Sequence, residues 1–165
     1  EVTLGRELEF AEPYLEIERI RFEDRLAVEL DVEESALAGM VPSLVLQPLV
    51  ENALRHGIDR RPEGGRIALL ARREAGKLRL TISNDGPAGA AAESKERQRV
   101  GLSNTRERLA QLYGGGYLLR LEERTEGGAV VTLELPWRTK DAAQDVDRRR
   151  RAAGAPEVAH AAATP

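Results

Sequence analysis

The fold of this chain is decided by one stretch of sequence, LVLQPLVENALRHG, which spans residues 44–57. Its apolar residues recur at helical spacing and form one stripe, made of Leu46, Leu49, Val50, Ala53 and Leu54. The opposite stripe consists of Pro48, Glu51, Asn52, Arg55 and His56. This pattern predicts a helix over residues 44–56 that is buried on one side. Pro42 is placed to start the helix, and Gly57 is placed to end it.

The polar stripe of this helix brings groups with distinct chemistry onto one face. Magnesium prefers hard oxygen ligands and takes few of them from protein, with phosphate and water supplying the rest. The amide oxygen of Asn52 suits that task, and Glu51 is suited to orient or deprotonate a nucleophile. The same stripe is also typical of a solvated helix face on which Glu51 and Arg55 form an ion pair at i,i+4.

Before this helix, residues 4–24 predict another one with two apolar stripes. A heptad-like seam is formed by Leu4, Leu8, Ala11, Leu15 and Phe22. Beside it runs a second stripe of Phe10, Tyr14 and Ile17. Pro13 is expected to kink the helix or to begin a new one. The seam fits equally a helix packed on its own domain and a helix that faces a partner.

Alternating apolar residues predict the strands of the fold. They cover residues 26–32, 66–73, 77–83, 117–123 and 129–135. A turn is predicted over 39–43 and a helix over 103–113, with Ser103 or Asn104 as its cap. The polar loop over 84–99 has the length of a functional lid or a disordered segment. This order of elements predicts an α+β fold, a two-layer α/β sandwich with a mixed, mainly antiparallel sheet and helices on one face.

Two further pieces of sequence carry groups that suit a nucleotide. The strand over 77–83 leads into Asn84, Asp85 and Gly86, whose side-chain oxygens can accept a hydrogen bond from an adenine amino group while the glycine lets a base approach. These residues are equally typical of a simple turn. Gly101 and Leu102 precede the helix over 103–113, where free N–H groups and the helix dipole favour phosphate. Asn104 adds a side chain and Arg99 a positive charge there, although a plain helix cap has the same pattern.

Composition excludes several classes of function. The formal net charge of -3 offers no electrostatic case for a nucleic-acid partner. The absence of cysteine excludes disulfides, thiolate nucleophiles and cysteine-bound zinc. No apolar run approaches the roughly 20 residues of a membrane helix. The N-terminus is expected to be a cut from a longer chain, and residues 139–165, which include four successive arginines, are predicted to be a disordered tail.

Taken in order, these pieces resemble the GHKL ATPase superfamily, and in particular the LytS/YehU branch of sensor histidine kinases. The resemblance covers residues 3–137. Residues 47–57 resemble the N box of that branch, and residues 101–109 with Tyr113-Gly114 resemble its second glycine box. Residues 14–18 with Arg21-Phe22 resemble the end of its dimerisation helix, and Gly127-Gly128 the approach to its last strand.

The resemblance implies a Bergerat-type fold that binds ATP and Mg²⁺. Asn52 would bind the metal, Glu51 would be the nearby acid or base, and Arg55 and His56 would line the phosphate side. Gly86 would lie under adenine, and Gly101 would support the triphosphate.

The implied reaction is transfer of the γ-phosphoryl group of ATP to a histidine upstream of residue 1, from which a response regulator would take it. The implied domains are the end of a dimerisation helix (1–24), the ATP-binding domain (25–138) and the tail (139–165). The whole protein would be a homodimer, with this domain on the cytoplasmic side of an inner-membrane sensor.

The chain departs from the pattern of the resembled family at three positions. Asn84 stands where an aspartate usually grips adenine, with Asp85 one position late. Arg99 replaces the leading glycine of the second glycine box. Pro48 stands where related families have a polar residue, although proline is usual there in the LytS/YehU branch. Two alternatives stay open: a non-catalytic nucleotide-binding or dimer-scaffold module, and a kinase for serine of an anti-sigma partner. The helix ending at Phe22 argues against the second.

Overall fold

The computed structural model describes residues 1–86 and 102–141. Its α-helices are α1 (Leu4–Phe22), α2 (Leu46–His56) and α3 (Ser103–Tyr113). Its strands are β1 (Val2–Thr3), β2 (Leu26–Val32), β3 (Met40–Val41), β4 (Gly65–Glu74), β5 (Lys77–Asn84), β6 (Leu118–Glu123) and β7 (Ala129–Pro136). Short 3-10 turns occupy Glu23–Arg25, Glu34–Ala36 and Ile58–Arg60.

Five strands form the main sheet, in the order β2-β4-β5-β7-β6. The β2–β4 pair is parallel, and the other three pairs are antiparallel. Strands β1 and β3 form a separate antiparallel pair. The predicted α+β fold with a mixed, mainly antiparallel sheet is therefore confirmed, including both predicted hairpins.

The hydrophobic core joins one face of the sheet to the helices. Alternate residues of β5 are buried, namely Leu78, Leu80 and Ile82, as the period of two predicts. The apolar stripe of α2 is buried in the same cluster, together with the seam of α1 and Leu109 of α3. The predicted apolar stripe of residues 44–57 is thus the side that meets the sheet.

Helix α1 packs on its own domain through the predicted seam. Its buried residues are Leu4, Glu7, Leu8, Ala11, Leu15, Glu18 and Phe22. The second stripe behaves differently, because Phe10 is 53% exposed and Ile17 is 62% exposed. No new helix begins at Pro13, since one helix runs through it. Pro13 and Glu9 both lie on the exposed side, where water can satisfy the Glu9 carbonyl that the proline leaves without a donor.

The predicted start of α2 is wrong. The helix begins at Leu46, two residues later than predicted, and Pro42 is outside it. Leu44 adopts the left-handed conformation, with a φ of 57°, which no helical residue has. Within the predicted turn, Met40 and Val41 pair with Thr3 and Val2. This pairing connects residues far apart in sequence, so local turn signals do not reveal it.

The predicted cap of α3 is also wrong. Leu102 occupies the N-cap position, and its side chain makes no capping hydrogen bond. Leu102 is only 1% exposed, so burial in the core decides where this helix begins. The predicted glycine stop is confirmed, because Gly114 is the C-cap residue with a φ of 58°.

Part of the predicted organisation lies outside the described residues. This holds for residues 87–99 of the predicted lid region and for residues 142–165 of the predicted tail. Among the helices that the structure describes, none combines the length and the apolar character needed to cross a membrane.

A carboxylate on the outer face of the sheet offers a test of the β5–β7 pairing. Glu134 of β7 accepts hydrogen bonds from Lys77 (2.9 Å) and Arg79 (2.6 Å) of β5. These two cations hold the pKa of Glu134 below its ordinary value of 4.5, and burial opposes them. A carboxyl group whose pKa is lowered in the folded state stabilises the fold at pH values above its ordinary pKa. This stabilisation is lost as the pH falls through the lowered pKa.

We expect the Tm of Glu134→Gln to be lower than that of the wild type at pH 7. This difference in Tm is expected to become smaller as the pH falls below 4.5. Thermal melts between pH 3 and pH 7 measure this. Glu122→Gln is the matched control. Glu122 forms an ion pair with Arg120, but the two side chains are 49% and 63% exposed, so the pair contributes little to stability. A difference for Glu134→Gln that stays constant across this pH range would contradict the assignment.

Candidate functional site

Asn52 presents an unusual atom at the centre of α2. Its side chain is buried, with 8% of the residue exposed. Its Oδ1 atom is inaccessible to solvent and has no hydrogen-bond partner within residues 1–86 and 102–141. A buried polar atom without a partner costs about 1–3 kcal/mol, so such an atom needs an explanation. A hard cation is one group that an amide oxygen in this position can bind.

The end of β5 meets the end of α2 at Gly57 and Asn84. Asn84 is 5% exposed, and its Nδ2 atom would lie 1.7 Å from a Cβ at position 57. Only glycine leaves room for this amide. The φ of Gly57 is −101°, so glycine is needed here for space and not for the left-handed conformation expected of a C-terminal glycine. Two of the three predicted site segments are therefore in contact.

Two glycines, Gly86 and Gly128, pack closely at the end of β5. A Cβ at Gly128 would lie 2.0 Å from the backbone oxygen of Asn84, and the φ of Gly128 is 81°. A Cβ at Gly86 would lie 3.1 Å from the Cα of Gly128. In the sequence, Gly127-Gly128 only marked the approach to a strand. The structure shows that the second glycine packs directly against the candidate site.

Asp85 is engaged differently from its neighbour Asn84. Its carboxylate accepts a hydrogen bond from the N–H of Arg66 (3.1 Å), and its own N–H donates to the Arg66 carbonyl (3.0 Å). Asp85 therefore ties β5 to the start of β4, whereas Asn84 packs against α2. The two adjacent polar residues have separate surroundings.

The polar face of α2 borders α1. Burial, followed by the charges of Glu18 and Glu51, raises the pKa of Tyr14 on α1 to about 12, and Arg21 and Arg55 oppose this. Glu51 accepts a hydrogen bond from Gln47 (2.8 Å), and among the described side chains it forms no ion pair with Arg55. The Glu51–Arg55 pair of the alternative reading is therefore not formed, whereas Gln47 and Arg55 are exposed, as a solvated face requires.

Two contacts at the entrance to α2 were not foreseen from the sequence. The carboxylate of Glu7 on α1 accepts hydrogen bonds from backbone N–H groups of residues 44–46. Arg108 of α3 donates to the carbonyl of Ser43 (2.6 Å) and to its hydroxyl (2.9 Å). No local signal pointed to these contacts, because only the structure shows that Val45 is the N-cap of α2 and that its side chain makes no capping hydrogen bond.

The third predicted segment is described only in part. Leu102 lies in the same core cluster as the apolar side of α2. Asn104 is exposed in the first turn of α3. Arg99 and Gly101 lie outside the described residues, as does the side chain of His56, whose backbone ends α2.

The chain has clear relatives among known proteins. Residues 41–139 match the family model described as histidine kinase-, DNA gyrase B-, and HSP90-like ATPase. The chain is 34% identical over 137 residues to the sensor histidine kinase BtsS of Escherichia coli K12, covering 83% of the chain and 24% of BtsS. It is 32% identical over 141 residues to the sensor histidine kinase YesM of Bacillus subtilis, covering 84% of the chain and 24% of YesM.

A solved structure has the same fold. The catalytic domain of the histidine kinase ThkA superposes with a TM-score of 0.62 over 82% of this chain and 93% of that domain, at 19% identity. The chain spans about a quarter of the length of the sensor kinases it matches. With the family model covering more than half of its residues, the chain belongs to the family of histidine kinase-, DNA gyrase B- and HSP90-like ATPases, as a domain of the LytS-like sensor-kinase type.

Proposed function

We propose that this chain is the ATP-binding catalytic domain of a two-component sensor histidine kinase, which transfers the γ-phosphoryl group of ATP to a histidine outside this chain. The observation that carries the proposal is the Oδ1 of Asn52, which is buried and has no hydrogen-bond partner among the described residues. It lies on the helix that contacts Asn84 at the end of β5, next to Gly86 and Gly128. Similarity to BtsS and YesM supports the kinase reaction.

The residues of α2 fit a bound Mg²⁺, since the Asn52 amide oxygen has no partner within residues 1–86 and 102–141 and can serve as the one protein ligand that is needed. Mg²⁺, when bound, would neutralise negative charge on the triphosphate. Glu51 is the nearby acid or base, held by its hydrogen bond from Gln47. Arg55 is exposed. We propose that Arg55 and His56 line the phosphate side of the site.

Asn84 suits adenine better than Asp85 does, because the Asp85 carboxylate already accepts the N–H of Arg66. A hydrogen bond from adenine to a neutral amide lacks charge assistance, so moderate affinity is expected. Gly86 would leave room for the base. The phosphates would bind at the N-terminus of α3, to Arg99, Gly101, Leu102 and Asn104.

The proposed partners follow from α1 and from the relatives. Phe10, Ile17 and Ile20 form an exposed apolar stripe at heptad spacing, with 53%, 62% and 77% exposure. This stripe supports the assignment of residues 1–24 to the end of a dimerisation helix in a homodimer. Residues 25–138 form the ATP-binding domain and 139–165 the tail. A response regulator would receive the phosphoryl group, and the domain would lie in the cytoplasm below an inner-membrane sensor.

Two measurements test the proposal. Calorimetry is expected to show ATP binding that depends on Mg²⁺, with a dissociation constant between about 1 µM and 1 mM. Adding the histidine-bearing segment of the parent protein together with γ-labelled ATP is expected to place the label on that histidine. Absence of ATP binding would overturn the proposal. Binding without transfer would favour the non-catalytic nucleotide-binding or dimer-scaffold module.

A further inference from the structure

Helix α2 has no N-terminal cap in its own sequence. Val45 occupies the N-cap position with helical dihedral angles, and its side chain makes no capping hydrogen bond. The first turn contains no acidic residue. A helix start leaves four backbone N–H groups without partners inside the helix. At this start Val45 and Leu46 are 2% and 0% exposed, so water does not reach their N–H groups readily.

Glu7 of α1 supplies the missing cap from 37 to 39 residues away in sequence. Its carboxylate accepts the N–H groups of Leu44 (2.5 Å), Val45 (2.9 Å) and Leu46 (3.2 Å). Glu7 itself is only 2% exposed. A negative charge at this end also interacts favourably with the helix dipole. The Glu7 carboxylate therefore connects α1 to the N-terminus of α2.

Contacts from α1 and from α3 hold the chain at the entrance to α2 in one conformation. Leu44 has a φ of 57°, a conformation that a bulky residue adopts only when its surroundings impose it. Glu7 binds the N–H of Leu44, and Arg108 of α3 binds Ser43, the residue before it. The entrance to α2 is therefore fixed to both α1 and α3.

We propose that Glu7 is a positioning residue of the nucleotide site, because it sets the axial position of α2 and hence that of Asn52. This inference rests on the proposed function. Asn52 lies six residues after Leu46, roughly 9 Å along a rigid helix. At the far end, Gly57 contacts the Asn84 amide, with no room for a Cβ between them. Movement at the Glu7 end would therefore displace Asn52 relative to Asn84 and Gly86.

Glu7→Gln tests the proposal, because the amide keeps the size of the side chain but turns one acceptor into a donor that opposes the backbone N–H groups. Glu12→Gln, an exposed glutamate on the same helix, is the matched control. Titrations with ATP, with and without Mg²⁺, are made at a temperature at which circular dichroism shows each variant folded. We expect Glu7→Gln to weaken Mg²⁺-dependent binding about tenfold or more and to leave Mg²⁺-free binding unchanged. Glu12→Gln is expected to match the wild type.

A double-mutant cycle separates positioning from general stability. If Glu7 acts through Asn52, adding Glu7→Gln to Asn52→Ala changes nucleotide affinity little further. Equal affinity of folded Glu7→Gln and Glu12→Gln, or full additivity with Asn52→Ala, would overturn the inference while the proposed function stands. A wild type that does not bind ATP would overturn both. Should Glu7→Gln fail to fold, Glu7→Asp, which keeps the charge on a shorter side chain, is judged by the same criteria.

Discussion

Asn52→Ala is expected to abolish the Mg²⁺-dependent part of ATP binding, a loss of about 100-fold or more, equivalent to about 2.8 kcal/mol. The reason is that the Oδ1 of Asn52, on the polar face of α2, is buried and has no hydrogen-bond partner in the described part of the chain. Alanine removes this oxygen, and no other side-chain amide in the described structure can replace it at that position. Calorimetric titration with ATP in Mg²⁺ and in a chelator measures the loss.

The same substitution is expected to leave stability unchanged or to raise it. Replacing a buried polar group that has no partner removes its desolvation penalty instead of a hydrogen bond. Loss of binding combined with an unchanged or higher Tm would mark Asn52 as a ligand-binding residue. Gln111→Ala is the control, since Gln111 is an exposed amide on α3 and has no role in the proposed site. A lower Tm with intact Mg²⁺-dependent binding in Asn52→Ala would contradict the assignment.

Gly128→Ala is expected to destabilise the fold by about 3 kcal/mol or more. The added Cβ would lie 2.0 Å from the backbone oxygen of Asn84, and a backbone atom in a paired strand cannot move aside as a side chain can. The substitution would separate the β6–β7 turn from the end of β5. Chemical denaturation measures the change in free energy of unfolding.

Gly76→Ala is the matched control for Gly128→Ala. Gly76 has a φ of 74°, close to the 81° of Gly128, but a Cβ there would meet nothing within 4 Å. Both substitutions incur the strain of a left-handed alanine, about 1–2 kcal/mol, so their difference isolates the contact with Asn84. Equal destabilisation by the two alanines would show that the close approach at Asn84 does not constrain the fold.

Side-chain periodicity accounts for what could be predicted about the fold. Alternation in residues 77–83 predicted β5 and its buried face, and the structure adds only Asn84 at its end. The seam of α1 and the apolar stripe of α2 were predicted residue by residue, because every third or fourth position of a helix meets the same neighbour. These patterns are local, so no knowledge of the tertiary contacts was needed.

Predictions that relied on local capping signals failed where a distant residue supplied the contact. Pro42 did not begin α2, because Leu44 takes a left-handed conformation beside the Glu7 carboxylate. Ser103 and Asn104 did not cap α3, because burial of Leu102 set its first turn. Gly57 does end α2 as predicted, with its N–H donating to the Ala53 carbonyl, but glycine is required there to leave room for Asn84.

The elements, the faces that they bury and the residue types near Asn52 follow from spacing along the chain. The packing of the helices on the sheet, in contrast, sets three contacts: Asn84 and not Asp85 packs against α2, Glu7 caps that helix, and Gly128 packs on the end of β5. These are contacts between residues that the chain brings together from a distance. Their geometry depends on how the helices and the sheet pack, and no local pattern encodes it.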